Sequence, residues 1–600
     1  MMMNDKHVLN RSILALLISG ILIGGCAKES SHVPKEDQTR STVSDPGSIT
    51  AKKDLPVSDY QLKPQQAEMM ISVQGQAHRL VKQHQQLSEA KVMASAMPMH
   101  NGNRLSSATI NNDKFATVMQ NGNIVAAETP VSTFSIDVDT GSYSTTRRMI
   151  NQGQLPAKDS VRVEELINYF SYNYPVPTDA DAPFNVTTEL APSPYNQDAH
   201  LLRIGIKGFD IAAEQRGASN LVLLLDVSGS MSSNDKLPLL KQALLMLSQQ
   251  LSAQDKVSIV VYAGASGVVL DGVSGNDFTA ISHALNQLTA QGGTNGSQGI
   301  QLAYQLAQKH FIKNGSNRVI LATDGDFNLG MTDHQQLVDY VAIHSNNGIG
   351  LSTLGFGLGS GNGGYNDHLL EQLSNKANGQ YAYIDTLNEA RKVLVDQLSV
   401  TLLTIAHDVK VQIEFNPALV SEYRLIGYEN RLLNRSDFNN DAVDAGEIGA
   451  GHTVTALYEL RYNDSHNKLV DPLRYQVSAA VDGNKHVVSD EVAFLKLRYK
   501  AIGGQASQLL TYPISKQQQL SQLQHASEDL RFAAAVAGFG QLLNHNHYVH
   551  DTDYAKLIAL AESAMGQDNF GYRHEFVQLL KTAKVLSEQT ALAVKQTNPY

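Results

Sequence analysis

The chain has 600 residues, more than one hydrophobic core ordinarily serves, so several domains are expected. With 42% hydrophobic and 18% charged residues the composition is globular, which excludes wholesale disorder. A net charge of −11 excludes the simplest kind of nucleic-acid binder, which neutralises phosphates with Lys and Arg.

Lys6 and Arg11 precede an apolar stretch, Ile13 to Ile23, too short to span a bilayer comfortably. It runs into Gly24-Gly25-Cys26, and Cys26 is the single cysteine of the chain, which excludes an internal disulfide. Small residues before a cysteine resemble a bacterial lipobox. The resemblance implies that residues 1–25 are a lipoprotein signal peptide and that Cys26 carries the lipid. Ala27 follows, not the Asp that would hold an enterobacterial-type lipoprotein at the inner membrane. An outer-membrane anchor facing the periplasm or the exterior is therefore expected.

Residues 26–115 are rich in Ser, Lys, Gln, Asn and Asp and poor in aromatics, and cannot bury enough apolar surface to offset their ordering entropy. They read as a flexible tether with a coil reach of about 50 Å. Met70, Val73, Ala77, Leu80 and Leu87 recur at helical spacing, interrupted by His84, which predicts a transient helix.

Order is expected from about Pro130. In the N-terminal region, 116–215, Thr133–Val138 alternates as a strand, Val161–Phe170 reads as a short amphipathic helix, and Asn185–Leu190 with His200–Ile206 as two strands. From 216 to 405 apolar strands alternate with helices, the pattern of a doubly wound, mostly parallel α/β sheet. Val268–Leu270 follows Val261 too closely for a helical crossover and should pair antiparallel at an edge. A final helix is predicted over Ala390–Leu403. In 406–505 the segments Asp408–Phe415, Thr453–Tyr462, Leu473–Val481 and Glu491–Tyr499 read as an antiparallel sheet that packs with the strands before Asn220. The α/β domain would then be inserted in, or followed by, a β-rich domain. Residues 506–592 read as helical, with Phe532, Ala535, Val536, Phe539 and Leu542 on one face.

The most informative feature is Asp226-Val-Ser-Gly-Ser230, at the end of the unbroken apolar run Leu221–Leu225. A strand buried on both faces that ends in an acid and two hydroxyls sets three oxygens at its carboxyl end, where ligand sites of such sheets lie. Thr294, in Gly292-Gly-Thr-Asn-Gly296, and Asp324, at the end of the run Val319–Ala322, supply two more. Oxygen donors suit a hard cation such as Mg²⁺. These five residues resemble the metal-ion-dependent adhesion site of the von Willebrand factor A family. The resemblance implies Mg²⁺ (with Mn²⁺ or Ca²⁺ as alternatives) bound directly by Ser228, Ser230 and Thr294, and largely through water by Asp226 and Asp324. The ion, poorly neutralised by hydroxyls, would accept a Glu or Asp carboxylate from a protein partner. It further implies that the last helix of the domain shifts with the metal's coordination.

Phe134–Ser144, Val161–Glu165 and Asp444–His452 extend the likeness, over roughly 115–590, to bacterial von Willebrand factor A lipoproteins with an extra N-terminal region and a C-terminal domain of uncharacterised function. The expectation is a non-enzymatic, lipid-anchored binding protein; the alternatives are a transient assembly or quality-control factor for envelope complexes and, less favoured, an enzyme with Asp139 as its one candidate residue.

Three other signals are weaker. Asp139-Thr-Gly141 is the tripeptide of aspartic proteases, but there is no second copy to share a proton, so it reads as a strand ending in a bend at Gly141. Asp437–Asp441 begins like a calcium loop and fails at Ala442 and Ile448, which predicts a polar turn. Gly355–Gly364 lacks the Lys-Ser/Thr of a phosphate loop and reads as a flexible connection.

Overall fold

The computed structural model describes residues 113–597, apart from 118, 179–181, 212–215, 295, 326–333, 358–364, 399–401, 467, 471–489 and 505. The described residues belong to one unit, Ala108–Tyr600. Cys26, the signal peptide, the helix proposed around Met70–Leu87, the strand Leu473–Val481 and most of Gly355–Gly364 lie outside the described residues.

Before the α/β domain come strands β1 (Ile124–Val125) and β2 (Val131–Ser135), helices α1 (Gly141–Asn151) and α2 (Val163–Asn168), and strands β3 (Phe184–Pro192) and β4 (His200–Gly208). The α/β domain contains β5 (Ser219–Asp226), α3 (Leu237–Ser248), β6 (Lys256–Tyr262), β7 (Ser266–Ser274), α4 (Phe278–Gln287) and α5 (Gly296–Lys309). It continues through β8 (Ser316–Thr323), α6 (His334–Asn346), β9 (Gly350–Phe356), α7 (Asp367–Lys376), β10 (Tyr381–Ile384) and α8 (Leu387–Arg391). After it come β11 (Thr404–Phe415), β12 (Val420–Ile426), β13 (Gly446–Gly449), β14 (Thr453–Tyr462), β15 (Glu491–Ala501) and β16 (Ser507–Ser515). Helices α9 (Glu528–Leu543), α10 (Tyr554–Glu562) and α11 (Tyr572–Thr597) complete the described chain.

The central sheet has the order β10-β9-β8-β5-β6-β7, with β7 alone antiparallel. β5 lies at its middle and is buried at every residue, as an unbroken apolar run requires. Helices close both faces, with Leu224, Val260 and Tyr304 in one core and Leu223, Ile259 and Leu240 in the other.

The strands on either side of this domain share sheets. β4 pairs with β14 and β3 with β4, giving the order β1-β12-β14-β4-β3. A second sheet, β13-β11-β15-β16, takes β2 on β11. Phe184, Ile204, Val411, Tyr458 and Leu495 lie in one core between the two. The described strands before and after the α/β domain therefore form one sandwich, and the α/β domain is inserted into it. Helices α9 to α11 cover α1 and α2, with Phe170 against Phe532 at 5.0 Å and Phe576 at 5.5 Å.

Several local expectations need correction. Described structure begins well before Pro130: Lys114 N–H donates to the Tyr365 carbonyl (2.7 Å) and Tyr365 N–H to Asp113 Oδ1 (2.8 Å), so the far loop satisfies this backbone. The β-rich part runs past 505, because Ser507–Ser515 pairs along β15. The helix expected over 390–403 is interrupted: Leu387–Arg391 passes into a π-helical turn at Lys392–Asp396, and Leu398 and Leu402 are helical again. The polar turn expected at Asp437 is present as a 3₁₀ turn, Arg435–Asn439, where its carboxylate caps Asn434. Gly141 opens helix α1 instead of making a bend, and a Cβ there would overlap the Tyr381 ring. Its neighbour Asp139 accepts from Tyr381 N–H (2.8 Å) and from Arg431 (3.1 Å), a buried post between sandwich and α/β domain.

Candidate metal centre

Where β5 ends, the chain turns because Asp226 Oδ1 accepts the Ser228 backbone N–H at 2.9 Å, an Asx turn. Val227 N–H donates to the Tyr262 carbonyl (3.0 Å), fixing the turn to the end of β6. The loop carrying Thr294 is tied to this turn by two backbone bonds, Gln291 N–H to the Val227 carbonyl (2.8 Å) and Gly229 N–H to the Gly292 carbonyl (3.0 Å). Gly292 makes the approach with φ +78°. Asp324 follows the parallel neighbour β8, and Gly325 behind it has φ +88° and lies against Tyr365 and Asn366, where no side chain fits.

All five residues therefore stand at one rim of the sheet. Ser228 Oγ and Ser230 Oγ are 2.9 Å apart, the first buried and the second exposed. Thr294 is half-buried on its tied loop. Asp226 Oδ2 accepts from Thr323 Oγ1 (3.0 Å) and Tyr262 OH (3.3 Å), so both oxygens of this carboxylate are anchored. Burial pushes its pKa up to about 6, against the opposing effect of the Ser228 bonds. Asp324 Oδ2 accepts from Lys236 Nζ at 2.8 Å, and the same ammonium donates to the Ser230 carbonyl at 3.0 Å.

Thr323, Tyr262 and Lys236 are thus part of the centre, and reading the five-residue pattern alone misses them. Thr323 also accepts from Gly325 N–H (3.2 Å), so one hydroxyl links the two acidic loops. Its signal was its position immediately before Asp324. That of Lys236 was a lone cation at the start of α3, six residues after Ser230.

The donor chemistry fits a small hard cation. With Mg–O distances of about 2.0–2.1 Å, neighbouring ligands of an octahedron stand about 2.9 Å apart, the separation of the two serine oxygens. Among the described residues no three His, Cys, Asp or Glu side chains gather into a metal cluster, so a site here depends on hydroxyls. Among the described residues, too, no helix is long and apolar enough to cross a membrane.

Comparison with known proteins assigns this architecture. The von Willebrand factor type A domain model matches residues 221–326, a von Willebrand factor model matches 109–203, and the model of the C-terminal domain of uncharacterized protein YfbK matches 400–586. None of these describes a catalytic family. Uncharacterized protein YfbK of Escherichia coli is 45% identical over 466 residues, covering 76% of this chain and 78% of that protein. Uncharacterized protein sll0103 of Synechocystis is 30% identical over 209 residues, 34% of this chain and 48% of that one. A solved von Willebrand factor type A protein from Catenulispora acidiphila aligns at 14% identity over 69% of this chain and 91% of its own, with a TM-score of 0.39. The chain belongs to the YfbK-like bacterial von Willebrand factor A proteins, in which a domain of the type used for protein–protein interaction is joined to a C-terminal domain of unknown function.

Proposed function

We propose that this chain is a non-enzymatic binding protein of the bacterial envelope, anchored by lipid at Cys26, that captures a protein partner through Mg²⁺ at the rim of its α/β domain. Ser228, Ser230 and Thr294 would hold the ion directly, with Asp226 and Asp324 behind them. The ion supplies Lewis acidity toward one anionic oxygen. The observation that carries the reading is the pairing of two serine hydroxyls at 2.9 Å with an Asp226 carboxylate whose oxygens are already hydrogen-bonded. A carboxylate so engaged neutralises the ion from a distance, and hydroxyls in direct contact leave it short of negative charge. A Glu or Asp of the partner would complete the shell.

Hydrolysis is disfavoured on the same geometry. A base near a metal-held water is required, and the described residues gathered at the rim are hydroxyls, two bonded carboxylates and an ammonium. The test is a crosslinking pull-down from envelope extracts with wild type and Asp226→Ala, in Mg²⁺ and in EDTA. Capture by wild type in Mg²⁺, lost in EDTA and in the variant, supports the reading. Equal capture in all arms would sink it.

A further inference from the structure

Five carboxyl groups meet two guanidiniums where the inserted domain rests on the rest of the chain. Asp137 and Asp139 lie in the link from β2 to α1, Glu165 in α2, and Asp367 and Glu371 one turn apart on α7. None of the five is more than 6% exposed. Arg162, at the start of α2, donates to Glu165 and to Asp367 (2.7 Å) and reaches Glu371 at 3.9 Å. Arg431, in the turn after β12, donates to Asp137 (2.9 Å), to Asp139 (3.1 Å) and to the Asn375 side chain of α7 (3.0 Å). Tyr381 of β10 joins the two sides, its hydroxyl donating to Asp367 and its N–H to Asp139. Next to Glu165, Glu164 adds a further buried carboxyl, which faces Glu429.

Five carboxylates against two guanidiniums would bury three more negative charges than positive ones. A buried carboxylate without its own partner is disfavoured against the neutral acid, so the cluster retains protons above the usual carboxylate range. Glu371 is the member least provided for. Its Oε2 has no hydrogen-bond partner among the described residues, and Arg162, the cation it reaches, is closer to Asp367. Burial raises the Glu371 pKa, Arg162 and Arg431 oppose the rise, and Asp367 and Asp137 add to it. Burial likewise pushes Glu165 up to about 7.

We propose that this junction is a proton-operated clasp, firm while its surplus carboxyls are protonated and loosened as they ionise, with Glu371 the group that tips it. A carboxyl held up in the fold and ordinary in the unfolded chain contributes stability that is complete below about pH 4.3. That stability is lost as pH rises through the folded value, about 7 for Glu165. The clasp is therefore tight in acid and weak above neutral pH. It sets how firmly the domain that carries the metal rim is held, and it uses none of the rim's residues.

The experiment is hydrogen exchange of the purified full-length chain between pH 6 and pH 9, corrected for the intrinsic pH dependence of exchange, for wild type and Glu371→Gln. Gln keeps the shape of the protonated acid and cannot ionise, and groups elsewhere titrate alike in both proteins. In wild type the opening of 163–168 and 367–376, relative to β5, should rise at least about tenfold across this range, the change that one unit of raised pKa produces. In Glu371→Gln most of that rise should disappear, and the variant should melt above wild type at pH 9 and close to it at pH 6. A wild-type opening that does not change with pH, or that changes equally in β5, overturns the clasp. So does a rise that Glu371→Gln leaves unaltered. If Glu371→Gln does not fold, the wild-type profile decides: loosening confined to the two segments supports the inference, and its absence overturns it. No outcome bears on Mg²⁺ or partner binding, so the proposed function stands or falls separately.

Discussion

Asp226 receives hydrogen bonds from three sides, and Thr323 is the donor that also accepts from the neighbouring loop. Thr323→Val keeps the shape and removes both bonds, leaving Gly325 N–H without this partner and Asp226 Oδ2 with only the longer bond from Tyr262. Urea denaturation should show a loss of about 2–3 kcal/mol; a change below experimental error would mean that the loops are held by backbone alone. His452 gives a separate test remote from the rim. It is buried, its Nδ1 has no hydrogen-bond partner among the described residues, and burial, with Lys392 and Lys207 nearby, holds its pKa down to about 3. A histidine depressed in the fold and ordinary when unfolded contributes stability above about pH 6.5 that is lost as pH falls toward 3. His452→Gln should therefore flatten the decline of melting temperature between pH 6.5 and 4. An unchanged slope would show that other groups dominate acid sensitivity. The five-residue metal pattern could be read from the chain because strand ends fix where side chains go. Lys236 and His452 could not, because each acts through burial by segments far away in sequence.

Among the elements, α8 is where pattern reading and structure part most clearly. Ala390, Val393, Leu394, Leu398 and Leu402 are spaced for one long helix, and all five are buried. Yet the helix passes into a π-helical turn at Lys392, whose ammonium sits 3.7 Å from the centre of the Tyr169 ring. Beside it Arg147 of α1 reaches Asp385 after β10 (2.9 Å), Glu389 of α8 (2.8 Å) and Glu575 of α11 (2.9 Å). One guanidinium thus fastens the inserted domain to helices that precede and follow it in the chain. Helical periodicity reports which residues face the core and is silent about such a clamp, so the apolar face was legible and the break was not. Arg147 is 1% exposed, and Arg147→Met strands buried acids, so a loss of about 3–5 kcal/mol is expected. Hydrogen exchange should accelerate at 387–396 and 572–580 before it does in β5. Uniform acceleration would contradict a local clamp.

At the scale of the whole molecule, the sandwich is assembled from halves separated by the inserted domain. β4 is paired on one side only by β3 from its own half, and on the other by β14 from the distant half. A fragment of residues 113–209 should accordingly show no cooperative unfolding alone and recover it when co-expressed with 404–597; independent folding of the first fragment would refute the shared core. Alternation in the chain exposed the strands and the insertion was inferable from where they recur. The pairing of β2 with β11 was not, because register is decided by residues almost three hundred positions apart. What this frame presents to the outside is the rim of the inserted sheet, and its proposed purpose depends on a metal ion. The most direct measurement is calorimetry of Mg²⁺ with the intact protein and with Asp226→Ala at neutral pH. Uptake of a single ion by wild type, abolished in the variant, is the predicted result; no heat of binding in wild type, or equal uptake by Asp226→Ala, would contradict it.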